Sequence, residues 1–221
     1  MQIKIQVADA SLKHHSVALC AMIEEAARLR GTGIAKRDPL YIEKKIAEGM
    51  AIMALQNDQP VGFCYIESWE DKKFVVNSGL IVHPDFRKTG LAKAIKERTF
   101  KLSKEKFPDA KLFGITTSMA VMKINAALGY QPVTFSELTQ DEAFWKGCQS
   151  CTNYDVLTRT NRSMCLCTGM VCDLKKYKGP AEPKTAWDKF KQFLGERAIR
   201  LQNAARQFPV LSKRLEKTNQ A

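Results

Sequence analysis

The turn Arg87-Lys88-Thr89-Gly90-Leu91-Ala92 follows an apolar, strand-like run over residues 74–82 and opens a long helix-like segment. The first N–H groups of a helix lack intrahelical partners and point at whatever lies ahead of its N-terminus, so such a joint is suited to hold phosphate. Gly90 lets the backbone approach an anion closely, and Arg87 and Lys88 add positive charge. A P-loop is excluded, because it ends in Gly-Lys-Ser/Thr and Gly90 is followed by Leu91. A second set of reactive side chains is Cys148-x2-Cys151, thirteen residues, then Cys165-x-Cys167, with Cys172 just beyond. Two close thiol pairs brought together by a hairpin suit tetrahedral coordination of a structural zinc ion. Residues 153–158 and 163–171 are the expected hairpin strands, joined through Thr160-Asn161-Arg162. The alternative is that Cys165 and Cys167 pack as small hydrophobes on one strand face while Cys148 and Cys151 sit on a loop. No histidine lies in this half of the chain, so a catalytic cysteine lacks its usual partner.

The elements that must position these groups can be read from periodicity. Residues 3–8 alternate like a strand, and Ser11 to Arg30 place Val17, Cys20, Ala21 and Ile23 at helical spacing. Asp38-Pro39 starts a short helix through Ile46, with proline in the first turn. Residues 51–55, 61–68 and 74–82 read as three consecutive strands, an antiparallel meander punctuated by Asn57-Asp58 and Glu70-Asp71-Lys72. A helix over 91–107, a strand over 111–117, a helix over 119–128 ended by Gly129, and a strand over 131–135 follow. The order β-α-α-β-β-β-α-β-α-β predicts an α/β (α+β) fold, a mixed sheet flanked by helices. Three segments are expected: a catalytic domain over 1–140, a Cys-rich segment over 141–173 and a basic C-terminal helix or tail over 174–221.

Composition narrows the partners. The net charge is +12, but residues 174–221 hold twelve Lys/Arg against four Asp/Glu, leaving the body only mildly basic. That balance suits a nucleotide-phosphate cofactor or an acidic substrate better than a nucleic-acid groove. Seven cysteines in a chain that opens on a strand rather than a secretion signal read as thiols or metal ligands. No run approaches the roughly 18 apolar residues of a membrane span, and the chain reads as cytoplasmic.

Order and motif together resemble the GNAT superfamily of acyl-CoA-dependent N-acyltransferases, whose signature is Gln/Arg-x-x-Gly-x-Gly/Ala. Arg87 to Ala92 fits every required position, Val82-His83-Pro84-Asp85-Phe86-Arg87 matches the usual lead-in, and Leu128-Gly129-Tyr130 stands where the family has Leu-Gly-Phe. The resemblance spans roughly residues 3 to 138. It implies acetyl-CoA or a related acyl-CoA as cofactor, its pyrophosphate on the backbone of Arg87, Lys88, Thr89, Gly90, Leu91 and Ala92 and its pantetheine arm along Leu80, Ile81 and Val82. Asn125 stands where many members carry a tyrosine that protonates the leaving thiolate, within the cofactor site, and an amide cannot act as that acid. Val76 stands at a position that is glutamate in some relatives. Glu67 and His83 are therefore the candidate bases, and either a water, Tyr130 or no acid at all serves the leaving thiolate.

The loop Arg28 to Arg37 carries four cations, which suits an acceptor amine that bears a carboxylate; Arg30, Lys36 and Arg37 are the candidate contacts. The run Gly114-Ile115-Thr116-Thr117, followed by Gly129-Tyr130-Gln131-Pro132-Val133 and Leu138, is similar to the acyltransferase domain of bacterial N-acetylglutamate synthases, with spacing shifted by about two residues. That similarity implies glutamate as acceptor, a place in amino-acid (arginine) biosynthesis, and Thr117 as a substrate contact. After a linker over 179–183, Thr185 and Asp188 form a capping box, and Trp187, Phe190, Leu194, Ala198, Leu201, Ala205 and Phe208 line one helix face. That face packs on the body or on a second subunit, giving a homo-oligomer, or else forms a basic amphipathic helix for RNA or an anionic membrane. The competing functional class is a non-catalytic GNAT-like adaptor that meets a partner or RNA through this tail.

Overall fold

The computed structural model describes residues 2–30 and 35–179. β1 (Lys4–Val7) leads through a 3-10 turn capped by Asp9 into α1 (Ser16–Arg30). Asp38 accepts the Leu40 N–H at 3.0 Å and Pro39 occupies the first turn of α2 (Pro39–Ala47), where a missing N–H costs nothing. β2 (Ala51–Gln56), β3 (Gln59–Trp69) and β4 (Phe74–Val82) form the expected meander, turning on residues with positive φ at Asn57-Asp58 and Glu70-Asp71-Lys72. α3 (Leu91–Lys106), β5 (Lys111–Thr116), α4 (Met119–Ala127), β6 (Gln131–Val133), α5 (Glu142–Lys146), α6 (Tyr154–Arg159) and β7 (Thr168–Asp173) complete the described chain.

The seven strands form one sheet in the order β1-β2-β3-β4-β5-β7-β6. Every pairing is antiparallel except β4 with β5. Successive strand residues face opposite ways. Ile52 and Ala54 of β2 join Cys64 and Ile66 of β3 beneath Ile95 and Phe100 of α3, whereas Ala51, Met53, Leu55, Phe63 and Tyr65 meet Leu19 and Ile23 of α1 and Ile42 and Ile46 of α2. Gly62 is small because α3 lies close over it: a Cβ there would sit 2.4 Å from Ile95 Cδ1. A third cluster joins Val76, Phe113, Phe135, Leu138, Phe144, Trp145 and Leu157 at the β5 end.

The segment after residue 140 departs from expectation. Residues 153–158, expected as a hairpin strand, lie largely in helix α6, and Cys165 and Cys167 precede β7 rather than lying in a strand. The β-branched residues of this run suggested a strand. Within α6 only Leu157 is buried, and an i,i+4 pair, Asp155 with Arg159 at 3.0 Å, favours the helical turn. β7 leaves the Cys-rich segment to fill the gap between β5 and β6, so residues 1–180 form one compact unit. The helix expected beyond Thr185 lies outside the described residues.

Between Phe63 and Tyr65 the β3–β4 register shifts: Phe63 pairs with Ile81 and Tyr65 with Ser78, leaving Gly79 and Leu80 opposite Cys64 alone. This is a β-bulge, and Gly79 sits in it at φ +65. β4 pairs with β5 only over Phe74, Val75 and Val76, so past Val76 the two parallel strands separate and the β5-facing edge of residues 77–82 is left without a strand partner.

A Cβ on Gly79 would lie 2.6 Å from the Tyr65 ring as well as straining the backbone. Gly79→Ala is expected to cost about 1–3 kcal/mol of stability in denaturant unfolding. Gly90→Ala, also at positive φ but with no atom within 4 Å of the added methyl, should cost only the backbone term of about 1–2 kcal/mol.

Candidate functional site

The separation of β4 and β5 opens a cavity of about 540 Å³. Its floor is the β4 bulge, Asn77 to Ile81, with Gly114, Ile115 and Thr116 of β5, Asn125 of α4 and Lys96 of α3. Arg37, Tyr41, Tyr65 and Glu67 form one wall, and Trp69, Phe144, Asn153 and the four cysteines 148, 151, 165 and 167 line the cavity with them.

The wall at Glu67 is organised by hydrogen bonds. Tyr41 lies in the first turn of α2, and its hydroxyl donates to Glu67 Oε1 at 2.5 Å. Arg37 Nε donates to the Tyr65 hydroxyl at 2.5 Å, and its Nη1 donates to the Ala35 and Lys36 carbonyls at 2.9 and 3.0 Å. Burial pulls the Arg37 pKa down, but the oxygens of Tyr65 and Glu67 outweigh it and the net shift is upward. Burial raises the Tyr41 and Tyr65 hydroxyls, and Glu67 raises them further, so both stay protonated. Nη2 of Arg37 has no partner among the described residues, which leaves one edge of the guanidinium for a ligand oxygen.

Four buried side-chain polar atoms in the described residues have no hydrogen-bond partner, and three of them belong to residues lining this cavity: Trp69 Nε1, Asn125 Oδ1 and Asn153 Nδ2. A buried polar atom left unpaired costs about 1–3 kcal/mol, so a cluster of them at one cavity marks where a ligand completes the bonding.

Around the 87–92 turn, Thr89 Oγ1 donates to the Phe86 carbonyl at 2.7 Å and Arg87 Nε to the Val82 carbonyl at 3.3 Å. Lys88 at φ 64 and Gly90 at φ 88 turn the chain into α3, whose N-terminus has no side-chain cap. The open edge of Leu80, Ile81 and Val82 runs from this turn to the cavity.

Of the residues singled out in the sequence, Glu67, Arg37, Asn125 and the four cysteines meet at the cavity, with Leu80 and Ile81 beneath. Lys36 lines the rim, but its Nζ pairs with Glu24 at 3.0 Å. His83 lies off the cavity, edge-on to Phe86 and 3.6 Å from Asp85, because it caps the turn after β4. Tyr130 is fully buried below it, its hydroxyl donating to Asn77 Oδ1 at 3.1 Å. Thr117 is exposed beyond the end of β5, off the cavity lining. The Arg30 side chain and residues 31–34 lie outside the described residues.

Five polar cavity groups, Tyr41, Tyr65, Trp69, Lys96 and Asn153, escaped sequence reasoning. Tyr41 and Trp69 carry no motif. Lys96 had a legible signal: Ala92, Ile95, Thr99, Phe100 and Ser103 recur at three- and four-residue steps, and this spacing puts position 96 on the same inward face.

Among known proteins, the acetyltransferase (GNAT) family profile matches residues 19–119. No curated protein sequence matches the chain. Among solved structures, the N-acetylglutamate synthase of Neisseria gonorrhoeae, in complex with coenzyme A and N-acetyl-glutamate, is similar at a TM-score of 0.57 and 16% identity. The match covers 79% of this chain but 35% of the synthase, so the chain spans about a third of that protein. YncA of Salmonella typhimurium, solved with its cofactor acetyl-CoA, gives 0.53 at 14% identity over 82% of this chain and 99% of its own. Diaminobutyrate acetyltransferase EctA of Paenibacillus lautus, solved with L-2,4-diaminobutyric acid and coenzyme A, gives 0.53 at 9% over 80% and 99%. These likenesses are of fold. The family profile covers residues 19–119, from α1 through β2, β3, β4 and the 87–92 turn to the start of α4, so sequence profile and fold point to the same acetyltransferase (GNAT) architecture.

Proposed function

We propose that the protein is a cytoplasmic acyltransferase that moves an acetyl or related acyl group from acyl-CoA to the amine of a small acidic amino acid, glutamate being the leading candidate. The observation that carries the acceptor class is the Arg37 edge facing the same cavity as the unpaired donors Trp69 Nε1 and Asn153 Nδ2. A guanidinium and two neutral N–H donors match two carboxylates, and the Neisseria synthase crystallised with N-acetyl-glutamate shares the fold. An acceptor of this kind belongs to amino-acid (arginine) biosynthesis.

In this reading the pyrophosphate lies on the amides of the 87–92 turn and the pantetheine arm pairs with Leu80, Ile81 and Val82. The thioester then enters the gap between β4 and β5, where the N–H groups of the bulge stabilise the tetrahedral oxyanion. Glu67, held by Tyr41, takes the proton from the attacking amine directly or through a water. Tyr130 is a poor acid, since burial raises its hydroxyl well above the ordinary value and Asn77 holds it.

The Cys-rich wall supports a structural zinc ion on Cys148, Cys151, Cys165 and Cys167. All four are free thiols. Burial, and then proximity to Cys165, Cys151 and Cys148, pushes Cys167 up to about 12, and Cys148 rises to about 11 from burial and its neighbours Cys151 and Cys165. Crowded thiols that resist charging individually are stabilised together as thiolates by a dication. The Asn153 N–H already donates to Cys151 Sγ at 3.5 Å. No three of the four sulfurs lie within 4.8 Å of one another, so the ion must draw the two knuckles inward. The apolar face written into residues 187–208 supports burial on the body or a homo-oligomer.

Thiol release from acetyl-CoA across a panel of amino acids tests the acceptor. Turnover with acidic amino acids is expected, and Arg37→Gln should raise the acceptor KM about ten- to a hundredfold with little change for acetyl-CoA. Glu67→Gln should lower kcat about 10²–10⁴-fold. No turnover with any acceptor, together with salt-sensitive RNA binding, would favour the adaptor reading. Elemental analysis of purified protein should find about one zinc per chain, reduced in Cys148→Ser/Cys151→Ser; absence of zinc removes that part of the reading.

A further inference from the structure

Lys96 is an anomaly in the core. It projects from the inward face of α3 and is 2% exposed. Its Nζ lies 5.2 Å from the centroid of the Tyr130 ring, and the side chain also borders the cavity beneath the β4 bulge. Two titratable groups face it, Cys64 from β3 and Tyr130 ahead of β6. Burial holds both in their neutral forms at neutral pH, since it raises the thiol and the phenol alike. No carboxylate among the described residues reaches the amine. A buried ammonium without an anionic partner is expensive to keep, and a structural role is filled better by leucine or methionine.

We propose that Lys96 is the catalytic acid that protonates the sulfur of coenzyme A as it leaves. This deepens the acyltransferase reading and rests on it, because that reading puts the thioester in the gap above Lys96. The free amine of the acceptor attacks the carbonyl carbon with its lone pair, forming the C–N bond and an oxyanion. The oxyanion collapses, the C–S bond breaks, and its electron pair departs on sulfur. Lys96 gives its proton to that sulfur and becomes a neutral amine. The proton on the newly bonded nitrogen passes to Glu67, and Lys96 is recharged from solvent once the products leave. Two observations favour Lys96 over the alternatives. The position often used for the family's acid is Asn125, which cannot serve, and Tyr130 is held too basic. Desolvation instead lowers the Lys96 pKa to about 8, close to the usual thiol range of about 8.5, where proton transfer between matched groups is efficient.

The test compares wild type with Lys96→Met, a substitution that fills the same space without charge. Lys96→Met should unfold at an equal or higher denaturant concentration than wild type, because it removes a desolvated amine, while kcat falls about a hundredfold or more. The wild-type pH profile should lose activity above about pH 8, as Lys96 deprotonates, and this limb should vanish in the variant. A second readout needs no acceptor: thiolate absorbance on binding coenzyme A should titrate at lower pH in wild type than in Lys96→Met, since the ammonium stabilises the anion. A wild type inactive on every acceptor that still shows this difference would sink the acyltransferase reading but leave the Lys96–sulfur pairing standing. Equal thiolate titrations, or a variant that keeps wild-type kcat and pH profile, overturns the proposal.

Discussion

Two residues of β4, Gly79 and Leu80, face a single residue of β3, Cys64, and the bend this forces on β4 opens the sheet beside the cavity. Past Val76 the strand can no longer pair with β5, and its edge residues are left to bond something other than protein. The opening depends on a glycine. Tyr65 packs against the position a Cβ would fill, and the φ of +65 would strain any other side chain. The same Tyr65 accepts from Arg37, so one tyrosine ties the bulge to the Arg37 side of the cavity. Lys96 beneath the bulge, Glu67 two residues along β3 and the turn before α3 are each fixed relative to that bend.

The polar groups of the cavity fall into two layers. Nearest the bulge are Lys96 and Asn125, in the positions that a thioester reading assigns to sulfur and pantetheine. Further out are Arg37, Tyr41 and Glu67, with the unpaired donors of Trp69 and Asn153. Cationic and neutral donors predominate in the outer layer, which suits an acidic acceptor, while Glu67 is its carboxylate. The α5–α6 segment closes this side, and Asn153 joins it to the cysteines through the Cys151 sulfur and through its own carbonyl, which Cys165 approaches at 4.0 Å. The placement of the cysteine segment therefore also sets the placement of Asn153 at the cavity.

The sheet and helices before residue 135 were legible because apolar patterning and turn chemistry agreed there: short apolar runs bounded by turn residues in β2 to β4, Pro39 behind the Asp38 cap, and Gly90 ahead of α3. The 87–92 turn was legible for the same reason, since its shape is set by the backbone at Lys88 and Gly90. The α6 segment was not, because a run of six residues with one buried anchor reads equally as strand or helix until Asp155 meets Arg159. Tyr41 and Trp69 were invisible because their roles come from long-range packing. His83 misled because a histidine near a motif signals chemistry, whereas this one caps a turn. Lys96 could have been found by noticing a charge on an apolar helix face.

The central claim is that the gap opened by the bulge receives the thioester and the outer layer receives an acidic amine. A crystal structure with coenzyme A and glutamate tests it most directly. The account predicts pantetheine along Leu80 to Val82, the sulfur over Lys96 and a glutamate carboxylate on Arg37. Coenzyme A bound away from the β4–β5 gap, or glutamate seated without contact to Arg37, would contradict it.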